Sequence, residues 1–108
     1  MPSSIAEFEL LVVLAAVRLG PGAAYTVSIA DDIRERTGRR VRRANVFTAL
    51  RRLEERGLVA TRLGEPSVER GGRPPRLVRV TARGVAAARA ATSAIEAMVG
   101  DLVLEQSR

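Results

Sequence analysis

The sequence predicts a mainly helical α+β domain. Apolar residues recur at helical spacing through most of the chain, short β-branched segments replace that pattern after Gly57, and helical spacing returns near the C-terminus. The chain has 108 residues, a length that closes one core. Hydrophobic residues make up 46% and charged residues 28% of the chain. These are globular proportions, so we expect the chain to fold.

The first two helices are predicted from periodicity and from the glycines that follow them. The first runs from Ser4 to Leu19 and ends at Gly20-Pro21-Gly22. Its apolar positions lie three or four residues apart and are Ile5, Phe8, Leu11, Val12, Ala15, Ala16 and Leu19. The second helix runs from Tyr25 to Thr37, with Gly38 directly after its C-terminus.

A third helix and a β-hairpin are predicted in the middle of the chain. The helix runs from about Arg43 to Arg56, with an inward row of Val46, Leu50 and Leu53. Two short segments, Leu58 to Leu63 and Arg76 to Thr81, are β-branched and partly alternating, which is typical of strands. The twelve residues between them are rich in Gly, Pro and charge, and we interpret them as an exposed hairpin tip.

The last predicted helix begins after Thr81, a capping residue, and runs to about Leu104. It carries a row at alternating spacings of three and four, typical of a short heptad seam. The row is Val85, Ala88, Thr92, Ile95, Val99 and Leu102. A small domain has little surface to cover such a row, so we expect a second copy to cover it, together with Phe8 and Val12 of the first helix. Packing of this helix on its own domain is the alternative.

The predicted order of elements is three helices, two strands and a last helix. This is the order of a winged helix-turn-helix with a C-terminal dimerisation helix. We expect residues 1–81 to form the DNA-binding domain and residues 82–108 the dimerisation helix. In this arrangement the third helix enters the major groove of DNA, and the hairpin, or wing, reaches the backbone or minor groove.

Charge is concentrated in the middle of the chain. Its eighteen basic residues are all Arg, and twelve acids leave a net charge of +6. Residues 34–83 hold fifteen Arg and five Glu, a net charge of +10, whereas the segments before and after them are slightly acidic. This asymmetry favours a polyanionic partner, here double-stranded DNA. A generally solvated basic surface is the alternative.

The residue types around the third helix and the hairpin suit DNA contact. Arg binds guanine or phosphate, Asn binds adenine, and Thr or an aromatic edge contacts the thymine methyl group. The candidates are Arg40, Arg42, Arg43, Asn45, Phe47, Thr48, Arg51 and Arg52 near the helix, and Arg70, Gly72, Arg73 and Arg76 in the hairpin. Two alternatives stay open: Arg51 and Arg52 paired with Glu54 or Glu55, and Phe47 folded into the core.

Composition also speaks against other classes of function. The chain has no Cys and no His, which removes thiolate chemistry, a histidine base and a Cys/His zinc site. We therefore expect no enzyme, no metal and no cofactor. The longest run without charge is shorter than a membrane span, and no basic residue precedes the first apolar run as in a signal peptide. The expected location is the cytoplasm.

Two blocks of sequence resemble the PadR family of bacterial transcriptional regulators. The first is Leu50, Leu53, Glu54, Gly57, Leu58 and Val59, and the second is Gly71, Gly72, Arg73, Thr81 and Gly84. The resemblance implies a dimeric repressor on an inverted-repeat operator, with a possible small-molecule effector. The chain departs from the family at Phe47, where a Tyr is usual. It also has no Trp, so the binding of flat aromatic drugs between paired tryptophans is not expected.

The sequence thus predicts a cytoplasmic, homodimeric, DNA-binding repressor. One rival is a winged-helix module that binds an acidic protein through the same surface. Another is a ligand sensor that binds DNA weakly. A steep dependence of binding on salt distinguishes the DNA-binding protein from the first rival.

Overall fold

A computed structural model describes residues 5–66 and 71–104 of the chain. Over these residues the elements are α1 (Glu7–Leu19), α2 (Thr26–Thr37), α3 (Arg43–Glu55), β1 (Val59–Leu63), β2 (Arg76–Val80) and α4 (Ala82–Val99). The predicted class is confirmed: three helices and a two-stranded wing form a winged helix-turn-helix, and a further helix follows at the C-terminus.

The core lies between the first three helices and the sheet, with α1 at its centre. The largest fully buried side chains are Val12, Val13, Ile29, Val46, Leu53 and Val78. α1 contacts α2, α3, α4 and β2, so it is covered on several sides. Leu10 and Val13, which lie outside the predicted apolar row of this helix, are therefore buried, whereas Leu11 is only partly buried.

The wing is a two-stranded antiparallel sheet docked onto the body of the domain. Its register runs from Val59 opposite Val80 to Leu63 opposite Arg76. The Val78 N–H donates to the Ala24 carbonyl (2.8 Å), which fixes β2 to the loop before α2. At the far end, Gly71 and Gly72 both have positive φ (66° and 80°), a backbone conformation that favours glycine.

The start of α4 is fixed to the junction between α3 and β1. Thr81 Oγ1 accepts a hydrogen bond from the Gly84 N–H (3.1 Å) and donates one to the Gly57 carbonyl (2.7 Å). This confirms the predicted cap at Thr81. Gly84 lies against the Leu58 carbonyl oxygen, and a Cβ at this position would overlap it. Only glycine fits there, which explains why the helix can begin so close to the strand.

α4 ends earlier than predicted. Its last residue is Val99 rather than about Leu104, because Gly100 turns away with φ 50°. Leu102 is exposed and does not continue the helical row. No helix within residues 5–66 and 71–104 is long and apolar enough to cross a bilayer.

The two halves of α4 differ in their surroundings. Ala88 belongs to the same buried cluster as the residues of α1, so the first half packs on its own domain. The second half exposes Ile95, Met98 and Val99. Two residues of the predicted dimer surface, Val12 (0% exposed) and Ala88 (6% exposed), are buried within one chain.

Candidate nucleic-acid interface

The outward side of α3 presents a row of polar and aromatic side chains. Val46, Ala49, Leu50 and Leu53 are buried and hold the helix against the core. The helical period then turns the intervening positions to solvent. Five predicted DNA contacts beyond the first residue of this helix are all exposed: Asn45, Phe47, Thr48, Arg51 and Arg52.

Phe47 is a large apolar side chain on this polar surface. Half of it is exposed (51%), so the alternative in which it folds into the core is wrong. Asn45 and Thr48 lie close to Phe47 in the sequence and belong to the same exposed surface. An exposed aromatic ring beside hydrogen-bonding groups can contact the methyl group of thymine.

Three arginines precede or begin this helix. Arg40, Arg42 and Arg43 are all exposed, while Val41 between them is buried and anchors the loop to the core. The Arg42 carbonyl accepts hydrogen bonds from the N–H groups of Asn45 (3.0 Å) and Val46 (3.2 Å), which joins the loop to the first turn of α3. The loop therefore presents its arginines at the N-terminus of α3, where the helix dipole also favours an anion.

The wing adds a second group of predicted residues. Gly72 and Arg73 are exposed near its tip. Arg76 is also exposed, but its Nη1 donates to Thr61 Oγ1 at 3.1 Å, and the Thr61 hydroxyl donates to Glu54 Oε2 at 2.7 Å. Arg70 lies outside the described residues.

Arginine pairing divides the protein into two regions. Five ion pairs join Arg18, Arg34, Arg36, Arg39 and Arg56 to Asp31, Asp32, Glu7 and Glu9, and all four acids lie on α1 and α2. In the part of the chain that the structure describes, no ion pair involves the predicted arginines of α3, its preceding loop or the wing. Arg51 and Arg52 thus do not pair with Glu54 or Glu55, and this surface keeps its positive charge.

The hydrogen bonds of Thr61 and Glu54 were not predicted from the sequence. Strand alternation already puts Thr61 and Arg76 on one face of the hairpin, a signal that was available. The Glu54 carboxylate reaches the same hydroxyl because of the way α3 packs against the sheet. This packing cannot be read from a local sequence pattern.

Comparisons with known proteins bear on this surface. The sequence profile of the transcriptional regulator PadR-like family matches residues 13–90. No significant match was found among curated protein sequences. Solved structures share the fold. A PadR family transcriptional regulator from Eggerthella lenta DSM 2243 is 22% identical, with a TM-score of 0.68, over 88% of this chain and 81% of that chain.

Two further structures are similar over most of their length. A transcriptional regulator from Clostridium thermocellum is 17% identical, with a TM-score of 0.67, over 89% of this chain and 92% of that chain. A PadR-like transcriptional regulator from Bacillus cereus is 13% identical, with a TM-score of 0.66, over 90% and 94%. At these identities the structures show the fold, and the profile match, which spans most of the chain, shows that the protein belongs to the PadR-like family of transcriptional regulators.

Proposed function

We propose that the protein is a homodimeric, sequence-specific DNA-binding regulator that represses transcription from an inverted-repeat operator. One observation supports this most strongly. The outward side of α3 exposes Asn45, Thr48, Arg51 and Arg52, and neither arginine forms an ion pair with the described residues, so their charge is free for a ligand. Membership of a family of transcriptional regulators agrees with this interpretation.

In the proposed complex, α3 lies in the major groove. Arg51 and Asn45 contact base edges, because a guanidinium fits guanine and an amide fits adenine in two-bond geometry. Phe47 contacts a thymine methyl group. The arginines of the preceding loop bind phosphates and set the register of the helix on the duplex. Arg73 at the wing binds the backbone or the adjacent minor groove.

The proposed dimer uses the exposed half of α4. Ile95 and Val99 lie on this half with exposed fractions of 54% and 39%, and Val85 and Thr92 extend the row towards the body of the domain. A second copy of the same strip would cover it and would bring Phe8 of α1 near the interface. Residues 1–81 then serve DNA binding and residues 82–108 serve dimerisation.

The proposed repression is steric. A two-fold dimer holds two copies of α3 about one DNA turn apart, roughly 34 Å, which matches two inverted half-sites. A protein bound there excludes other proteins from the same stretch of promoter. Because a transcriptional regulator acts where the chromosome is, we expect it in the cytoplasm.

The dependence of DNA binding on salt tests the proposed function. If each protomer neutralises about four phosphates, a dimer neutralises about eight, and log K should fall against log salt with a slope near about −7. Fluorescence anisotropy on a duplex from the protein's own promoter region measures this slope. A slope shallower than about −2 would contradict DNA binding through the arginine surface.

The dimer is tested by Ile95→Asp. A carboxylate in the apolar strip of each subunit should cost several kcal/mol of association, about the cost of an unpaired buried charge. We expect sedimentation to show a monomer at micromolar concentration, with helical content retained and specific DNA binding abolished. Val17→Asp is the matched control, because Val17 is equally exposed but lies on α1. A dimeric Ile95→Asp variant would remove α4 from the interface.

A further inference from the structure

One hydroxyl group connects the recognition helix to both strands of the wing. The Thr61 hydroxyl on β1 donates to Glu54 Oε2 (2.7 Å) in the last turn of α3. It accepts from Nη1 of Arg76 (3.1 Å), the first residue of β2. The Thr61 hydroxyl thus acts both as a donor, through its single hydrogen, and as an acceptor, through its oxygen. Thr61 bridges Glu54 and Arg76, and the described residues show no ion pair between the two.

The strand register explains how Arg76 reaches Thr61. Thr61 is opposite Val78, and Leu63 is opposite Arg76, so these four residues lie on one face of the hairpin. Arg76 is therefore the diagonal neighbour of Thr61, a distance that a long side chain spans. Val78 on the same face is buried in the core, which turns this face towards the domain body.

The link lies where the wing leaves the hydrophobic core. Val59 and Val78 are buried, but on the same face the last pair of the register is Leu63, which is 60% exposed, and Arg76, which is exposed. Beyond this point the hairpin continues through the hydrogen bond between the Gly64 N–H and the Pro75 carbonyl (2.8 Å). On the other face of the hairpin, Leu77 and Pro75 are buried and lie beside Gly64. A two-stranded hairpin has little stability of its own, so a side-chain link to α3 adds to this packing in fixing the direction of the hairpin.

We propose that Thr61, with Glu54 and Arg76, is a positioning residue that sets the angle of the wing relative to α3. The proposal rests on the proposed function, because its purpose is to let Arg73 reach DNA while α3 occupies the major groove. Thr61 itself does not touch DNA. Arg76 acts mainly by donating a hydrogen bond to the Thr61 hydroxyl, and in this way it connects β2 to the link.

The first test measures the wing angle without DNA. The chain has no Cys, so Ala44→Cys on α3 and Pro74→Cys on the wing, both exposed positions, introduce a single pair of spin labels. Dilution with unlabelled protein suppresses distances between subunits. We expect Thr61→Val, which keeps the branched shape but removes the hydroxyl, to broaden the label-to-label distance distribution. Thr61→Ser, which keeps the hydroxyl, should preserve it. An unchanged width in Thr61→Val would overturn the proposal.

The second test measures the consequence on operator DNA. Thr61→Val should weaken binding about tenfold, the size of a missing hydrogen bond to a charged group, and Thr61→Ser should stay close to the unmodified protein. In an Arg73→Ala background, where the wing no longer binds DNA through Arg73, Thr61→Val should have no further effect. An equal loss of affinity in both backgrounds would overturn the proposal, because a general structural defect is additive.

The two tests separate this inference from the proposed function. If the unmodified protein shows no salt-dependent DNA binding, the proposed function fails. The spin-label distances still decide whether Thr61 sets the wing angle, because they are measured on the free protein. A broadened distribution then supports the link, and an unchanged one refutes it.

Discussion

The arginines of the α1–α2 region and those of the α3–wing region have opposite surroundings. Near α1 and α2, arginines form ion pairs with four acids, and some of these pairs connect distant elements, such as Arg39 with Glu7 and Arg56 with Glu9. On α3 and the described wing, the predicted arginines have no such partner. The comparison shows that the net charge of a sequence segment differs from the charge that its folded surface presents to a binding partner.

The contrast refines the charge count of residues 34–83. Four arginines in this segment pair with acids that lie before it in the chain: Arg34, Arg36, Arg39 and Arg56. Most of their charge is compensated in the folded state, because only Asp32 is shared with a further arginine, Arg18. The positive surface is therefore smaller than the sequence total implies, and it is centred on α3, its preceding loop and the wing.

The largest expected effect is on the paired side. Arg56→Ala would leave the Glu9 carboxylate, whose side chain is 11% exposed, without this partner. We expect the free energy of unfolding to fall by about 3 kcal/mol, the low end for breaking a buried pair, because Arg56 is partly solvated. Chemical denaturation measures this. Arg52→Ala, an exposed control on α3, should change stability by less than about 0.5 kcal/mol. Equal losses of stability in the two variants would erase the distinction between the regions.

A smaller effect is expected in the α3–wing region, where the predicted arginines form no ion pairs. Substitutions there should change DNA affinity rather than stability. Arg51→Ala or Asn45→Ala should cost about 1 to 3 kcal/mol on the operator and should reduce the preference for it over other sequences. Competition titrations with operator and mutated duplexes measure both quantities. Arg18→Ala, which removes an arginine paired with Asp32, is the control and should bind like the unmodified protein. If it weakened binding as much as Arg51→Ala, pairing would not predict which arginines bind DNA.

The smallest effect is expected at the wing. Arg73→Ala should weaken binding to all sequences evenly, and the salt slope should become shallower by about 0.9 for each phosphate that the variant no longer neutralises. Arg34→Ala should leave the slope unchanged, because Asp31 already compensates Arg34. Anisotropy titrations at several salt concentrations compare the two. If Arg73→Ala alone abolished sequence preference, direct readout would belong to the wing rather than to α3.

Local patterns predicted most of the fold, because helices and hairpins are specified by nearby residues. The row Val46, Leu50 and Leu53 located α3, and Thr81 located the start of α4. The burial of Leu10 and Val13 could not be predicted in the same way. It depends on α1 being enclosed by several elements, and a single apolar stripe does not show this.

The sequence predicted which residues are exposed on the candidate surface, but it did not predict which arginines form ion pairs. Periodicity turned Asn45 and Arg51 outward as expected. The partners of Arg39 and Arg56, in contrast, lie 32 and 47 positions away, so only the folded chain reveals them. The extent of α4 was overestimated because the apolar row continues to Leu102 while Gly100 interrupts the backbone.

The start of α4 and the end of α3 form one rigid joint. Gly84 lies against the Leu58 carbonyl oxygen and Thr81 is bonded to Gly57 and Gly84, so the first turn of α4 is held at this junction. In the proposed dimer, the crossing angle of the two α4 helices then fixes the separation of the two α3 helices. One base pair inserted between half-sites rotates one of them by about 34° around the duplex. If the joint holds α4 at one angle, the proposed dimer follows that rotation poorly, and we expect a changed spacing of the half-sites to weaken its binding.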